Sequence, residues 1–157
     1  MGGNNSYSEE YGGVPESKRT HIETGFKIDG HKVLLFGENV GHDKIIMNAD
    51  SDSPIYLFAS ADGKTGKLTI SCIGIYEKWK LVQSIDLKFD KDGNVLPFSN
   101  SENGSHSHFW EEISPGIIGR KSHDKKNHHP IDSKYDSLIS KIESFNKQGK
   151  IWKKDQE

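Results

Sequence analysis

The sequence predicts an α+β fold, in which an antiparallel, meander-like β-sheet is followed by one C-terminal helix. Short apolar runs separated by turn residues fill most of positions 24–98, and this spacing is typical of consecutive antiparallel strands. Apolar residues recur at helical spacing only near the C-terminus. The two patterns therefore favour a sheet and a helix that are segregated along the chain.

Six apolar or alternating runs are the predicted strands. The first two flank Asp29-Gly30, a dipeptide that favours a tight hairpin turn. The last alternates between apolar and polar residues, with Ser84 and Asp86 on its polar side, which indicates a strand buried on one face. The predicted strands are 24–28, 32–36, 44–48, 55–59, 67–75 and 80–89.

Residues 90–94, Asp-Lys-Asp-Gly-Asn, have the spacing of the start of a calcium-binding loop. Such a loop needs a glutamate six residues after its glycine, and Ser99 stands there instead. We therefore interpret the stretch as a turn that ends the last strand.

The C-terminal helix is predicted from one apolar stripe. Asp132 or Ser133 can cap its start and Gly149 can end it. The stripe consists of Tyr135, Leu138, Ile139, Ile142 and Phe145.

The length of 157 residues predicts one domain. Hydrophobic residues make up only 32%, which indicates that part of the chain adds little to the core. The glycines and Pro15 near the N-terminus favour a flexible arm over residues 1–18. The single α+β domain then spans 19–157 and contains a histidine-rich loop at 104–130.

Charge and cysteine content exclude several classes. The net charge of −2 argues against a globally basic nucleic-acid binder. Cys72 is the single cysteine, so no disulfide can form within the chain. No apolar run approaches the ~20 residues of a membrane span, and the start resembles no signal peptide. We expect a soluble protein in the cytoplasm.

The histidine-rich segment is the candidate functional site. Residues i and i+2 of a strand share a face, so His106 and His108 can reach one ion together. Glycines and Pro115 let the chain bring further histidines back towards this pair. The five histidines of the segment are His106, His108, His123, His128 and His129.

We predict a metal site formed by His106, His108, His123 and His128. Several imidazoles around one ion is the preference of zinc, although nickel, copper and iron also accept nitrogen ligands. His129 and Asp124 compete with His128 for the fourth position. A solvated basic loop, or metal-free catalysis by the same histidines, is the alternative interpretation.

The same segment is locally cationic. Four positive side chains stand against Asp124 alone. Such a patch can contact phosphates or an acidic protein surface, so direct nucleic-acid binding is one expectation. The four residues are Arg120, Lys121, Lys125 and Lys126.

Three stretches resemble small proteins carried by phages and integrative elements of Gram-positive bacteria. They are Gly12–His21, His106–Trp110 and Gly119–His123, and the resemblance covers most of the chain. Proteins of that setting include toxin-like nucleases and inhibitors of host defence, among them anti-CRISPR proteins, some of which bind zinc. The resemblance implies the setting, which is the cytoplasm of a bacterial host, and not a mechanism.

The sequence therefore leads to two hypotheses. The first is a non-enzymatic protein with a structural zinc ion that binds and inhibits a host defence nuclease, such as a Cas9-type ribonucleoprotein. Its acidic residues would contact the positive channels of such an effector. The second is a small nuclease that uses His106, His108 and His123, with or without metal. The acidic residues of the first hypothesis are Asp50, Asp52, Asp86, Asp90 and Asp92.

Overall fold

The computed structural model describes residues 21–36, 49, 51, 54–99, 104–115, 117–120 and 128–152. The N-terminal arm predicted for residues 1–18 and the strand predicted for 44–48 lie outside the described residues. The other five predicted strands are all present, with ends that differ by a few residues. The α+β class is confirmed, although most of the regular structure is β.

Seven described strands lie in the sheet in the same order as in the chain. Four of the six connections are two to six residues long, and such a short turn places the next strand beside the last. The other two, 37–54 and 87–105, are longer. The strands are β1 (His21–Ile28), β2 (His31–Phe36), β3 (Ile55–Ala61), β4 (Leu68–Glu77), β5 (Lys80–Asp86), β6 (His106–Ser114) and β7 (Ile117–Arg120).

One pairing departs from the predicted antiparallel meander. Strands β2 and β3 are parallel, with Val33 opposite Leu57, whereas the other five pairings are antiparallel. The connection between them, residues 37–54, is long enough to return the chain to the starting end of β2, which a parallel pair requires. Periodicity alone does not reveal strand direction.

The predicted loop at 104–130 is also corrected. Most of its first half forms the β6–β7 hairpin, in which Trp110 lies opposite Arg120. The start of β6 pairs with β5, and His106 lies opposite Asp86. This strand alternates histidine and serine at its start, so it lacks the apolar alternation by which strands are ordinarily recognised.

The C-terminal helix is confirmed. Helix α1 (Asp136–Lys147) follows a short 3-10 turn at Ser133–Tyr135, and the Asp132 side chain accepts a hydrogen bond from the Lys134 amide. Gly149 then adopts φ +69°, a conformation that ends helices at low cost for glycine. The cap and the end thus agree with the sequence prediction.

The sheet has two buried faces. One is covered by α1, whose Leu138, Ile142 and Phe145 join a core with residues of β2 to β5. The opposite face, here called the aromatic face, carries a second cluster formed by Leu34, Tyr56, Phe58, Cys72, Tyr76, Leu81, Trp110 and Ile118. Cys72 lies opposite Asp86 and Asp86 lies opposite His106. Residues paired across strands share a face, so the histidines belong to the aromatic face.

Candidate metal centre

Strand β6 presents two histidines side by side on the aromatic face. His106 and His108 are 3% and 2% exposed, and their ring centroids lie 4.8 Å apart. The alternation that pairs them places Ser107 on the other face. The predicted i, i+2 pair is therefore present on a strand, with both rings almost fully buried.

The third histidine comes from the segment after β7. Backbone hydrogen bonds join Ser107 and His129 in both directions, at 2.9 and 3.0 Å, so His129 lies on the face of Ser107. Its neighbour His128 consequently projects to the face of His106 and His108. The Ser107 hydroxyl also donates to the carbonyl oxygens of His129 and Pro130, at 3.3 and 3.2 Å, and holds the segment in place.

The three rings meet closely enough for a single ion. One ligand atom from each of His106, His108 and His128 lies within 4.8 Å of the others. The His128 ring centroid is 4.9 Å from that of His108 and 4.0 Å from that of His106, on which it stacks. With Zn–N bonds of about 2.1 Å, tetrahedral geometry places ring centroids roughly 5 Å apart. The His106–His108 and His108–His128 separations fit this value. A modest movement of His128 away from His106 would bring the third separation to the same value.

Asp86 adds a carboxylate to the cluster. Its Oδ2 atom lies 3.4 Å from His106 Nε2 and 3.2 Å from His108 Nε2. Burial alone would raise the pKa of Asp86, but the hydrogen bonds and positive charge of the two histidines outweigh it and hold the pKa well below its usual range. The carboxylate is therefore ionised and favours a cation beside it.

A backbone carbonyl fixes the ring orientation of His106. The distance from His106 Nδ1 to the carbonyl oxygen of Gly104 is 2.9 Å, and a carbonyl can only accept, so Nδ1 carries the proton. The hydrogen bond to Asp86 raises the pKa of His106, burial opposes this, and the bond to Gly104 raises it again. A metal ion that binds His106 would therefore displace the proton of Nε2.

Three of the four predicted ligands thus come together, namely His106, His108 and His128. The fourth, His123, lies outside the described residues, and so does Asp124. His129 is not in the cluster, because its ring packs on Phe109 on the other face at a centroid distance of 4.9 Å. Of His128 and His129, the structure therefore places His128 beside the pair on β6.

Asp86 is the member of the cluster that the sequence analysis did not assign to it. Its position on the polar side of an alternating strand was a usable signal. Two neighbouring strands that each carry a polar stripe tend to place the stripes against one another, because buried polar groups need partners. The earlier expectation that Asp86 contacts an effector surface is less apt, since its carboxylate is engaged by two histidines.

Apolar and hydrogen-bonded side chains surround the cluster. Trp110 is 4% exposed, and its indole N–H donates to the Ser84 hydroxyl at 2.9 Å. Ser84 lies opposite His108. Trp110 thus anchors β6 in the core of the aromatic face.

The predicted cationic patch falls largely outside the described residues. Arg120 is the last residue of β7, and Lys121, Lys125 and Lys126 belong to the undescribed stretch 121–127. Both ends of that stretch are attached to β6, through Trp110–Arg120 and Ser107–His129.

Comparison with protein-family models, with curated proteins and with solved structures found no match for this chain. Within the described residues, no helix combines the length and the apolar character needed to cross a membrane.

Proposed function

We propose that this protein binds one divalent transition-metal ion, zinc in the first instance, through His106, His108 and His128. The observation that carries the proposal is the convergence of three imidazoles from two separate stretches of chain. Two of the three rings are at most 3% exposed. Nitrogen donors beside one carboxylate suit zinc and its neighbours in the transition series.

The energetics of the metal-free cluster favour the binding of a metal ion. His108 Nδ1 is buried and has no hydrogen-bond partner among the described residues. Such an orphaned polar atom costs about 1–3 kcal/mol. A metal ion supplies a partner to an imidazole lone pair, and the neighbouring Asp86 carboxylate offsets part of the ion's charge.

The role that we propose for the ion is structural. It would connect His128, just before the 3-10 turn and α1, to the part of β6 that pairs with β5. The 128–130 segment is already placed by hydrogen bonds to Ser107, so the ion would stabilise an arrangement that the chain approaches without it. Small domains with a modest core commonly gain stability from such a bond.

Burial argues against the alternative of a metal-free nuclease. A general acid or base must reach the substrate, but His106 and His108 are nearly inaccessible, and their Nε2 atoms face Asp86. The third residue of that hypothesis, His123, lies outside the described residues. We therefore favour a binding protein over an enzyme.

The partner is proposed from the sequence resemblance, which suggests an inhibitor of a host defence nuclease of the Cas9 type. Of the acidic residues considered for this contact, Asp92 is exposed in the 90–94 turn, whereas Asp50 and Asp52 lie outside the described residues. Retention of the zinc-loaded protein on an immobilised Cas9-type ribonucleoprotein at micromolar concentration would support this assignment. A protein that is not retained there would contradict it.

The metal proposal is tested by elemental analysis and by zinc titration of chelator-treated protein. We expect one ion per chain. Zinc at roughly 1,000 times its Kd stabilises by about 4 kcal/mol, and 1 kcal/mol shifts the Tm of a chain of this size by roughly 2–4 °C. The metal-loaded protein should accordingly melt about 8–16 °C higher than the metal-free protein.

Variants separate the site from the fold. His128→Ala should bind zinc much more weakly while retaining the metal-free Tm, because its segment is held by backbone bonds to Ser107. His129→Ala is the matched control, since this adjacent histidine lies on the opposite face. Equal zinc binding by these two variants, or the absence of any stoichiometric metal in the wild-type protein, would refute the proposed function.

A further inference from the structure

His106 and His108 differ in their hydrogen-bond partners, although they are two residues apart on one strand and both contact Asp86 through Nε2. In His106 both nitrogens have a partner, since Nδ1 is bonded to Gly104 and Nε2 lies 3.4 Å from Asp86 Oδ2. In His108 the nitrogen next to a partner is Nε2, which lies 3.2 Å from Asp86 Oδ2. A carboxylate accepts hydrogen bonds, so this contact places the His108 proton on Nε2.

The nitrogen available to a metal is the one that leaves each ring with a hydrogen bond from its other nitrogen. For His106 it is Nε2. For His108 it is Nδ1, which is buried and has no hydrogen-bond partner among the described residues. In metal sites the second nitrogen of a ligating histidine almost always donates to a carboxylate or a carbonyl. The two histidines meet that rule only if they ligate through different nitrogens.

We infer that His106 ligates the metal through Nε2 and His108 through Nδ1, and that Asp86 is a positioning residue that fixes the His108 tautomer. This inference rests on the proposed metal-binding function and goes beyond it. Asp86 then acts through its hydrogen bond and its charge, without being a ligand itself. The described residues supply three protein ligands, and the fourth coordination position comes from elsewhere.

A direct role for Asp86 as a ligand is the competing arrangement. Its Oδ2 lies 3.2 and 3.4 Å from the two Nε2 atoms, and ligand atoms of a tetrahedral zinc site are roughly 3.3 Å apart. In that arrangement His108 would ligate through Nε2, and its Nδ1–H would remain buried without an acceptor. That unsatisfied donor makes this the less favourable arrangement.

Long-range ¹H–¹⁵N correlation spectra of the histidine rings distinguish the two arrangements, because a metal-bound, a protonated and a free imidazole nitrogen have different ¹⁵N shifts. We expect zinc to bind at Nδ1 of His108 and at Nε2 of His106, with protons on the other two nitrogens. Zinc at Nε2 of His108 would overturn the inference and leave metal binding intact. Histidine spectra that zinc does not change would refute the proposed function itself.

Two substitutions provide a second test. Asp86→Ala removes the acceptor for His108 Nε2–H and should weaken zinc binding about 10- to 100-fold, as the loss of such outer partners typically does. Asp86→Asn keeps an acceptor oxygen and should recover part of the affinity and the Nδ1-bound state of His108. Asp92→Ala, at an exposed acid in the 90–94 turn, is the control. A zinc affinity for Asp86→Ala equal to that of the control would contradict the assignment.

Discussion

The Nδ1–H of His106 donates a hydrogen bond to the carbonyl oxygen of Gly104, 2.9 Å away. This bond directs Nε2 of the same ring towards Asp86 and the other two histidines. It makes the backbone at Gly104 part of the metal centre, although glycine has no side chain. The position also tolerates no side chain, since a Cβ atom there would lie 2.5 Å from the Ser99 Cβ and 2.6 Å from the Pro97 carbonyl oxygen.

Gly104→Ala is therefore expected to damage both the fold and the metal centre. The added methyl meets backbone atoms that cannot turn away, and overpacking of this kind typically costs about 1–3 kcal/mol. Displacement of the carbonyl should also weaken zinc binding by about tenfold or more, because His106 loses its orientation. Chemical denaturation and zinc titration measure the two effects.

The matched control is Gly63→Ala. A Cβ at Gly63 would meet no atom within 4 Å, so that change should leave both stability and zinc affinity close to the wild-type values. A Gly104→Ala protein that is destabilised but binds zinc normally would show that the carbonyl does not position the His106 ring.

Asp90 supplies a prediction about pH. Its Oδ1 accepts hydrogen bonds from the amides of Asp92 and Asn94, both at 2.9 Å. The backbone bond from Asn94 is the main cause that lowers the pKa of Asp90, slight burial opposes it, and the Asn94 side chain, the Asp92 amide and the charge of Lys147 add to the lowering. A lowered folded-state pKa contributes stability above the ordinary value of 3.8, and this contribution is lost as the pH falls through the folded-state pKa.

Asp90→Asn should thus be less stable than the wild type at neutral pH, and the difference should shrink below about pH 4. Urea denaturation at several pH values measures it. Asp92→Asn, in the same turn, makes the same change of charge, but its carboxylate accepts no hydrogen bond from the described residues, so the variant should differ little in stability from the wild type at neutral pH. A difference for Asp90→Asn that grows on acidification would refute this account.

Much of the fold was predictable because its determinants are local. Asp29-Gly30 forces a tight turn, with φ of +53° and +80° in the structure, and Asp132 caps the 3-10 turn that leads into α1. Local signals of this kind act over a few residues and are visible in one sequence. The parallel pairing of β2 with β3 was not predictable, since strand direction depends on where a long connection leads.

The same distinction between local and long-range determinants applies to the candidate metal centre. The i, i+2 spacing predicted that His106 and His108 share a face, and this was correct. The choice of His128 over His129 depends on the register between Ser107 and His129, which is a long-range contact. The recruitment of Asp86 depends on the register between β5 and β6. A single sequence fixes neither register when polar residues occupy the paired positions.

Asn146 provides a stability prediction that is independent of the metal. Its side chain accepts a hydrogen bond from the Ile70 amide at 2.8 Å and donates one to the Ile70 carbonyl at 3.0 Å. Both residues are buried, so Asn146→Ala leaves two backbone groups of β4 without partners. The expected loss is about 2–6 kcal/mol in the free energy of unfolding, at about 1–3 kcal/mol for each unsatisfied group.

Gln148→Ala is the control for that change, because this residue is exposed just beyond α1 and should alter stability by no more than about 0.5 kcal/mol. Zinc affinity of the folded Asn146→Ala protein should equal that of the wild type, since α1 and the histidines lie on opposite faces of the sheet. A loss of less than about 1 kcal/mol would mean that water replaces the amide contacts.

The β4–β5 turn contains a conformation that its residues do not favour. Lys78 and Trp79 have φ of +50° and +73°, a combination that two-residue hairpins require and that asparagine and glycine adopt most readily. Trp79 is also 51% exposed, so its ring contributes limited packing. Replacement of the pair by Asn-Gly should stabilise the protein by about 1 kcal/mol or more, because each unfavoured residue costs of that order.

The opposite change, from glycine to a residue with a side chain, in the β1–β2 turn tests the same backbone cost of a positive φ. Gly30 has φ +80°, and a Cβ at that position would meet nothing within 4 Å, so Gly30→Ala isolates the backbone cost and should destabilise by about 1–2 kcal/mol. Thermal or urea unfolding of both variants gives the comparison. If Gly30→Ala is destabilising while the Asn-Gly replacement brings no gain, the Trp79 side chain must contribute stabilising contacts that offset the strain. An exposed tryptophan retained at such a cost would then become the first surface to examine in partner-binding experiments.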